Sequence, residues 1–158
     1  MIRFLDGPHC APTLVPLQQD AEKANQRLPV SRCERIPFDA LDGNCLGFAR
    51  ERSIAINPVN PLPAKTRFHE LAHVLLGHTA EGAQADGERT PRNLRECEAE
   101  AVAMLCLAAL NLPGVEHCRG YIQSWWGVGN PIPERSAQRV LKAADQILRA
   151  GAGGEAAS

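Results

Sequence analysis

Hydrophobic residues along much of the chain recur at the spacing of an α-helix. Apolar residues at positions 14, 17, 21, 24 and 28 lie three and four residues apart, which predicts an amphipathic helix over residues 13–28, between Pro12 and Pro29. Four later segments, each preceded or followed by a glycine or proline that breaks a helix, are also predicted to be helical: residues 64–78, 94–110, 115–126 and 134–150.

Shorter apolar segments predict a small amount of β-structure. Residues 45–57 place apolar side chains on both sides of the charged turn Arg50-Glu51-Arg52, which predicts a β-hairpin, and residues 30–38 suit an edge strand. Residues 79–93 predict a surface loop, and the Gly/Ala-rich residues 151–158 a disordered tail. We therefore expect one α+β domain over residues 1–150, in which a small, mainly antiparallel sheet packs on the helix at 64–78 and C-terminal helices complete the core.

Composition and charge exclude several classes of protein. The 158 residues are 44% apolar, which suits a single domain with its own core. The net charge of −1 indicates neither a sequence-independent nucleic-acid binder nor an acidic DNA mimic. The longest apolar run, residues 101–110, is half the roughly 20 residues that cross a bilayer, and no secretory segment is visible. We expect a cytoplasmic protein that does not enter a membrane.

The cysteines do not predict a disulfide framework or a thiolate metal site. The chain has six cysteines, and no two of them are spaced as C-x-x-C. Cys97 and Cys106 lie in the apolar helical segment at 94–110, where cysteine usually behaves as a small hydrophobic residue. We expect the thiols to be reduced.

The residues that indicate chemistry are His69-Glu70-Leu71-Ala72-His73, an H-E-x-x-H motif inside a predicted helix. Histidines four residues apart lie on one helix face, so both imidazoles can bind one zinc ion at roughly 2.0–2.1 Å. Glu70 lies beside that face and can reach a metal-bound water, as a general base must. The alternative is a core helix that happens to carry two surface histidines.

A catalytic zinc needs a third protein ligand, and the downstream helix offers three carboxylates. Glu96 and Glu100 share a face, whereas Glu98 lies roughly 200° around the helix from Glu96. We predict Glu96 as the ligand and Glu100 as the acceptor of the outer N–H of His69 or His73. Glu98 is expected to be solvated, and a charged helix start favoured by the dipole is the alternative for all three.

His78 is not expected to be the third ligand. The extended pattern H-E-x-x-H-x-x-G-x-x-H is absent, because Leu76 and Thr79 stand where Gly and His would be. Two tryptophans near the end of the segment at 115–126, Trp125 and Trp126, are expected to anchor the last two helices in the core.

The residues around the motif resemble a known group of zinc peptidases. Residues 69–78 and, after a loop, 96–103 resemble the ImmA/IrrE-type metallopeptidases. The segments Ser-Ile-Ala-Ile-Asn-Pro at 53–58, Tyr-Ile-Gln-Ser-Trp-Trp at 121–126 and Ala-Ala-Asp-Gln-Ile-Leu at 143–148 are similar to the zincin metallopeptidase domain of the ArdC-like antirestriction proteins of plasmids and other mobile elements.

The resemblance covers residues 48–148, about two-thirds of the chain. It implies His69, His73 and Glu96 as zinc ligands and Glu70 as catalytic acid and base. ArdC-like proteins place a single-strand DNA-binding domain before the peptidase domain. Here fewer than fifty residues precede the similar part and carry no basic, aromatic-bearing surface, so DNA binding by this chain alone is not expected.

These observations predict a zinc metallopeptidase with one Zn²⁺ per chain and a protein or peptide as its substrate. The alternatives are a zinc-bearing regulatory module with little or no proteolytic activity, and an antirestriction factor. Tyr121 is a candidate donor to the oxyanion of the transition state. Ser53–Ile56, if it forms an edge strand beside the motif helix, is expected to pair with an extended substrate. The sequence assigns no oligomeric state.

Overall fold

The computed structural model describes residues 33–40, 43–79 and 90–151. The helix predicted over 13–28, the tail beyond residue 151 and most of the loop predicted over 79–93 lie outside the described residues. Within them the chain is α+β. Its strands are β1 (Glu34–Arg35), β2 (Gly47–Arg50) and β3 (Ser53–Ile56), and its helices are α1 (Pro63–Leu75), α2 (Arg92–Ala109), α3 (Val115–Trp126) and α4 (Glu134–Gly151).

The three strands form a mixed sheet in the order β1-β3-β2. The predicted hairpin is confirmed: β2 and β3 are antiparallel and turn through Glu51 and Arg52, with Arg50 paired to Ser53. β1 pairs with β3 in parallel, so the sheet is mixed, and the antiparallel hairpin is its larger part.

The expectation that Ser53–Ile56 is an edge strand is wrong. β3 lies between β1 and β2 and is paired on both sides, because β1 adds to the side of β3 that the hairpin leaves open. The buried positions of β3 reflect this central place, since Ile54, Ala55 and Ile56 are all inaccessible to solvent or nearly so. Among the described strands, β2 is an edge of the sheet instead.

Helix α1 begins with Pro63 in its first turn, where the missing N–H of proline costs nothing, and ends in a turn at Gly77 with a left-handed φ of 72°. Phe68, Leu71 and Ala72 are fully buried on one face of α1, between the sheet and α2. The same helical periodicity turns His69 and His73 away from this core.

Helix α2 packs against α1, α3 and α4, and its apolar residues form the centre of the core. The described cysteines are free thiols, and burial raises the pKa of the Cys106 and Cys118 thiols to about 12. The tryptophans lie at the margin of the core rather than in it: Trp125 is 37% exposed, and the indole N–H of Trp126 donates to the carbonyl of Pro131 at 3.2 Å.

No helix in the described part of the chain is long and apolar enough to span a bilayer.

Candidate metal centre

Two helices bring three metal-ligand side chains to one point. His69 and His73 stand one turn apart on α1, and their Nε2 atoms are 3.0 Å apart. Glu96, in the second turn of α2, places Oε2 at 3.5 Å from Nε2 of His69 and at 3.6 Å from Nε2 of His73. The three predicted ligands therefore form one cluster, which we call the His-His-Glu triangle.

The size of the triangle fits a metal ion. Ligand atoms at 2.0–2.1 Å from a tetrahedral zinc ion are about 3.3 Å apart. The three distances in the triangle, 3.0, 3.5 and 3.6 Å, lie on both sides of that value. Three protein donors also leave one position of a tetrahedral ion for water or substrate. The His-His-Glu triangle can therefore hold a divalent cation.

The charges in the triangle are strongly coupled. Hydrogen bonds from His69 and His73 hold the pKa of the Glu96 carboxyl well below its usual range. Burial by itself lowers the pKa of His69, but the Glu100 and Glu96 carboxylates outweigh it and raise that pKa to about 9. A metal ion competes with this imidazole proton, because a ligating histidine is neutral.

Glu70 lies beside the triangle and not in it. Its carboxyl group is buried and lines the same cavity as the three ligands. Burial raises the pKa of Glu70, although the neighbouring His69 and His73 oppose the shift. A carboxylate that is raised in pKa and free of the ligand cluster has the properties of a general base.

Glu100 lies behind His69, on the side away from the triangle. Its Oε1 is 3.2 Å from Nδ1 of His69 and accepts a hydrogen bond from Nζ of Lys65 at 2.7 Å. The contact that the sequence predicted for Glu100 is thus present at ion-pair distance, although the imidazole N–H is not aligned with the oxygen. Burial raises the pKa of Glu100, but His69 and Lys65 outweigh it and lower that pKa.

The expectation that Glu98 is solvated is wrong. Its side chain is fully buried, and Oε2 lies 2.8 Å from Nε2 of His78. Glu98 does point away from Glu96 around α2, as the helical angle requires, but α4 covers that side and contributes Ser136 and Arg139 as partners. Burial raises the pKa of Glu98, and these hydrogen bonds and charges lower it further than burial raises it.

His78 connects Glu98 to the triangle. Its Nδ1 is 3.0 Å from Nδ1 of His73, the nitrogen that faces away from the ligand cluster. With Nε2 of His73 as the metal-binding atom, the Nδ1 proton of His73 is donated to Nδ1 of His78, and Nε2–H of His78 is donated to Glu98. Burial lowers the pKa of His78 more than Glu98 raises it, which favours this neutral imidazole.

The sequence did not predict the hydrogen-bond relay His73–His78–Glu98, because His78 was considered only as a metal ligand. The signal that pointed to it is a carboxylate inside an otherwise apolar segment, since a buried charge requires a partner. Arg139 completes the network: it donates to the carbonyl of Leu76, at the end of α1, and lies 3.5 Å from Glu98.

Tyr121 is not brought to the centre. Its side chain is 49% exposed, and Nζ of Lys65 lies 4.5 Å from the centroid of its ring. Tyr121 is not among the residues that line the cavity at the triangle. This placement gives no support to a role in stabilising a transition state.

The triangle opens into a cavity of about 410 Å³ between β2, α1 and the start of α2. Its walls combine residues of β2 with charged side chains of α1 and α2. The lining residues are Gly47, Phe48, Ala49, His69, Glu70, His73, His78, Thr79, Arg92, Arg95 and Glu96.

Comparison of the chain with family models, with curated proteins and with solved structures finds no match.

Proposed function

We propose that the chain is a zinc-dependent metallopeptidase of zincin-like architecture that hydrolyses a peptide bond in a specific protein substrate. The observation that carries the proposal is the His-His-Glu triangle with Glu70 beside it in one open cavity. Two imidazoles and one carboxylate with a free position are a common ligand set of catalytic zinc. The resemblance of residues 48–148 to ArdC-like and ImmA/IrrE-type peptidases supports the same function.

In this mechanism His69, His73 and Glu96 would hold the metal, and Glu70 moves the proton. Zinc held there would supply Lewis-acid chemistry, polarising the scissile carbonyl and lowering the pKa of water toward roughly 7. The Glu70 carboxylate accepts a proton from the attacking water while the water oxygen bonds to the carbonyl carbon. Glu70 then gives that proton to the amine nitrogen as the C–N bond breaks. The chain from His73 to Glu98 keeps the ligating imidazole in one tautomer and orientation.

The edge of β2 that no described residue pairs with supports a peptide as the substrate. The backbone N–H of Asn57 donates to the carbonyl of Leu46, so these two residues form a hydrogen-bonded pair of the hairpin. Hydrogen-bonded and non-hydrogen-bonded pairs alternate along antiparallel strands, so Ala49, three residues after Leu46, is in a non-hydrogen-bonded pair. The backbone N–H and C=O of Ala49 therefore point away from β3. Gly47 and Ala49 also line the cavity at the triangle. An extended substrate that pairs with β2 would pass the metal centre. This assigns to β2 the role that the sequence gave to Ser53–Ile56.

The second candidate is a zinc-bearing regulatory or antirestriction module with little or no proteolytic activity. Glu70 favours the peptidase, because a purely structural site usually fills all four metal positions with protein and does not need an uncoordinated base. We propose that the substrate is a cytoplasmic protein, a regulator linked to a mobile element, in line with the resemblance to ArdC-like proteins. We propose no nucleic-acid partner for this chain alone.

The test compares the wild type with Glu70→Gln. Zinc content is measured by mass spectrometry after gel filtration, and cleavage is measured on proteins that the Glu70→Gln variant captures from a host lysate. We expect about one zinc per chain in both proteins and cleavage by the wild type alone. Glu116→Gln, at an exposed position of α3, is the matched control and should cleave like the wild type. A zinc-loaded wild type that cleaves none of the captured proteins would favour the regulatory module.

A further inference from the structure

The cavity contains two arginines that the proposed mechanism does not use. Arg92 and Arg95 lie in the first turn of α2 and line the cavity beside Glu96. Arg92 is four residues before Glu96, so it projects from the same face of the helix, one turn closer to its N-terminus. Both arginines therefore line the cavity from the helix that also supplies the metal ligand Glu96.

Arg95 has an unused donor inside the protein. One terminal nitrogen, Nη1, donates to the carbonyl of His78 at 3.3 Å. Its Nε is shielded from solvent and has no hydrogen-bond partner among the described residues. Buried donors are nearly always paired, so the unpaired Nε shows that the described residues do not satisfy the whole guanidinium group of Arg95, a residue that lines the cavity.

Arg92 is held in place without a carboxylate. Its guanidinium carbon lies 5.6 Å from the ring centroid of Trp125, a cation–π distance that leaves the N–H edge of the fork available. In the described ranges, 33–40, 43–79 and 90–151, no acidic group forms an ion pair with Arg92 or Arg95. Arg92 is exposed, and its contact with Trp125 leaves its N–H donors available to another group.

With a divalent cation at the triangle, no acidic charge among the described residues of the cavity would remain to balance the positive charges of Arg92 and Arg95. Of the described residues that line the cavity, Glu70 and Glu96 are acidic, and a divalent cation at the triangle would match their charges. Arg92 and Arg95 then contribute about two positive charges to a wall that faces the substrate path. A guanidinium pair with free N–H groups binds carboxylates in preference to other common groups in a peptide.

We propose that Arg92 and Arg95 form a carboxylate-binding subsite, so that the preferred substrate carries a carboxylate close to the scissile bond. The carboxylate belongs either to an aspartate or glutamate side chain or to the C-terminus of the substrate. The subsite rests on the proposed peptidase function, because it defines which peptides that same cavity accepts.

The test measures binding to the zinc-loaded Glu70→Gln variant, so that turnover is not required. The probes are fluorescein-labelled, C-terminally amidated octapeptides of alanine and serine, with one glutamate moved through the six inner positions. Each is compared with the same peptide carrying glutamine there. One further pair differs only in a free or amidated C-terminus. Fluorescence anisotropy at fixed ionic strength gives each affinity.

We expect glutamate to bind about tenfold more tightly than glutamine at one position or two neighbouring ones, as a charge-assisted hydrogen bond provides. Arg95→Gln in the same background should reduce this preference to less than about threefold, and Arg92→Gln should reduce it in part. Arg119→Gln, an exposed arginine of α3 paired with Glu116, is the matched control and should keep the preference. If the C-terminal pair alone discriminates, the carboxylate is that of the chain end.

The proposal is overturned if no pair discriminates, including the case in which no peptide binds, or if Arg92→Gln/Arg95→Gln keeps the full preference. Zinc content and circular dichroism of each variant establish that the metal centre and the fold remain. Failure of the subsite is distinguishable from failure of the peptidase proposal. The subsite is judged by binding to Glu70→Gln, whereas the peptidase is judged by cleavage with the wild type.

Discussion

Replacing Glu98 by alanine tests most directly whether this side chain is buried, as in the structure, or solvated, as the sequence predicted. The side chain is fully buried and bonded to His78, with Ser136 and Arg139 also in contact. Glu98→Ala leaves Nε2–H of His78 without an acceptor and Arg139 without its buried counter-charge. A buried donor left without its acceptor costs about 1–3 kcal/mol, and two donors, on His78 and Ser136, lose their acceptor in Glu98→Ala. The 3.5 Å contact to the partly exposed Arg139 contributes little, so we expect about 3 kcal/mol.

The assay is urea unfolding of the metal-free protein, followed by circular dichroism. A domain of this size usually has an unfolding free energy of about 5–15 kcal/mol, so the loss should lower the midpoint clearly. Glu98→Gln keeps an acceptor for His78 and should lose about 1–2 kcal/mol. Glu116→Ala, at an exposed site on α3, should stay within about 0.5 kcal/mol of wild type. If Glu98→Ala also stays within that range, Glu98 is not part of a buried network.

The same variant should weaken metal binding without removing a ligand. Glu98 fixes His78, and His78 fixes the Nδ1 side of His73. Loss of such outer hydrogen bonds usually costs 10–100-fold in metal affinity. We expect a change of about this size in the zinc Kd of Glu98→Ala and of His78→Ala, measured by competition with a chelator. An unchanged zinc Kd in both variants would show that the hydrogen bonds from His73 through His78 to Glu98 do not act on the metal centre.

Three further outcomes are expected. Glu96→Ala should lose stoichiometric zinc on gel filtration, while Glu116→Ala keeps it; retention in Glu96→Ala would exclude Glu96 as a ligand. Gly47→Ala should destabilise the protein by about 1–3 kcal/mol, because its Cβ would lie 2.6 Å from a methyl group of Thr66, whereas Gly43→Ala meets nothing within 4 Å and should unfold like wild type. Zinc binding at pH 7.5 should release about one proton, because the pKa of His69 is raised to about 9 and the metal-free imidazole is therefore protonated at pH 7.5. Calorimetry in buffers of different ionisation enthalpy measures this proton release, and a binding enthalpy that does not depend on the buffer would contradict it.

The sequence by itself determined the local part of this protein. The bounds of the four described helices lie within three residues of those predicted, because glycine and proline stop a helix through their own backbone chemistry. The H-E-x-x-H spacing placed His69 and His73 on one face of α1, and the angle between Glu96 and Glu98 on α2 was also correct. Each of these features depends only on residues a few positions apart along one helix.

The tertiary structure alone decided what each face meets. The angle that turns Glu98 away from Glu96 contains no information about whether water or α4 covers that side, and packing made it a buried network instead of a solvated charge. In the same way, the hairpin was visible in the sequence, but the pairing of β1 with β3 made β2 the edge. Helical spacing fixes directions around one axis, whereas the neighbours along those directions come from residues 20 to 41 positions away.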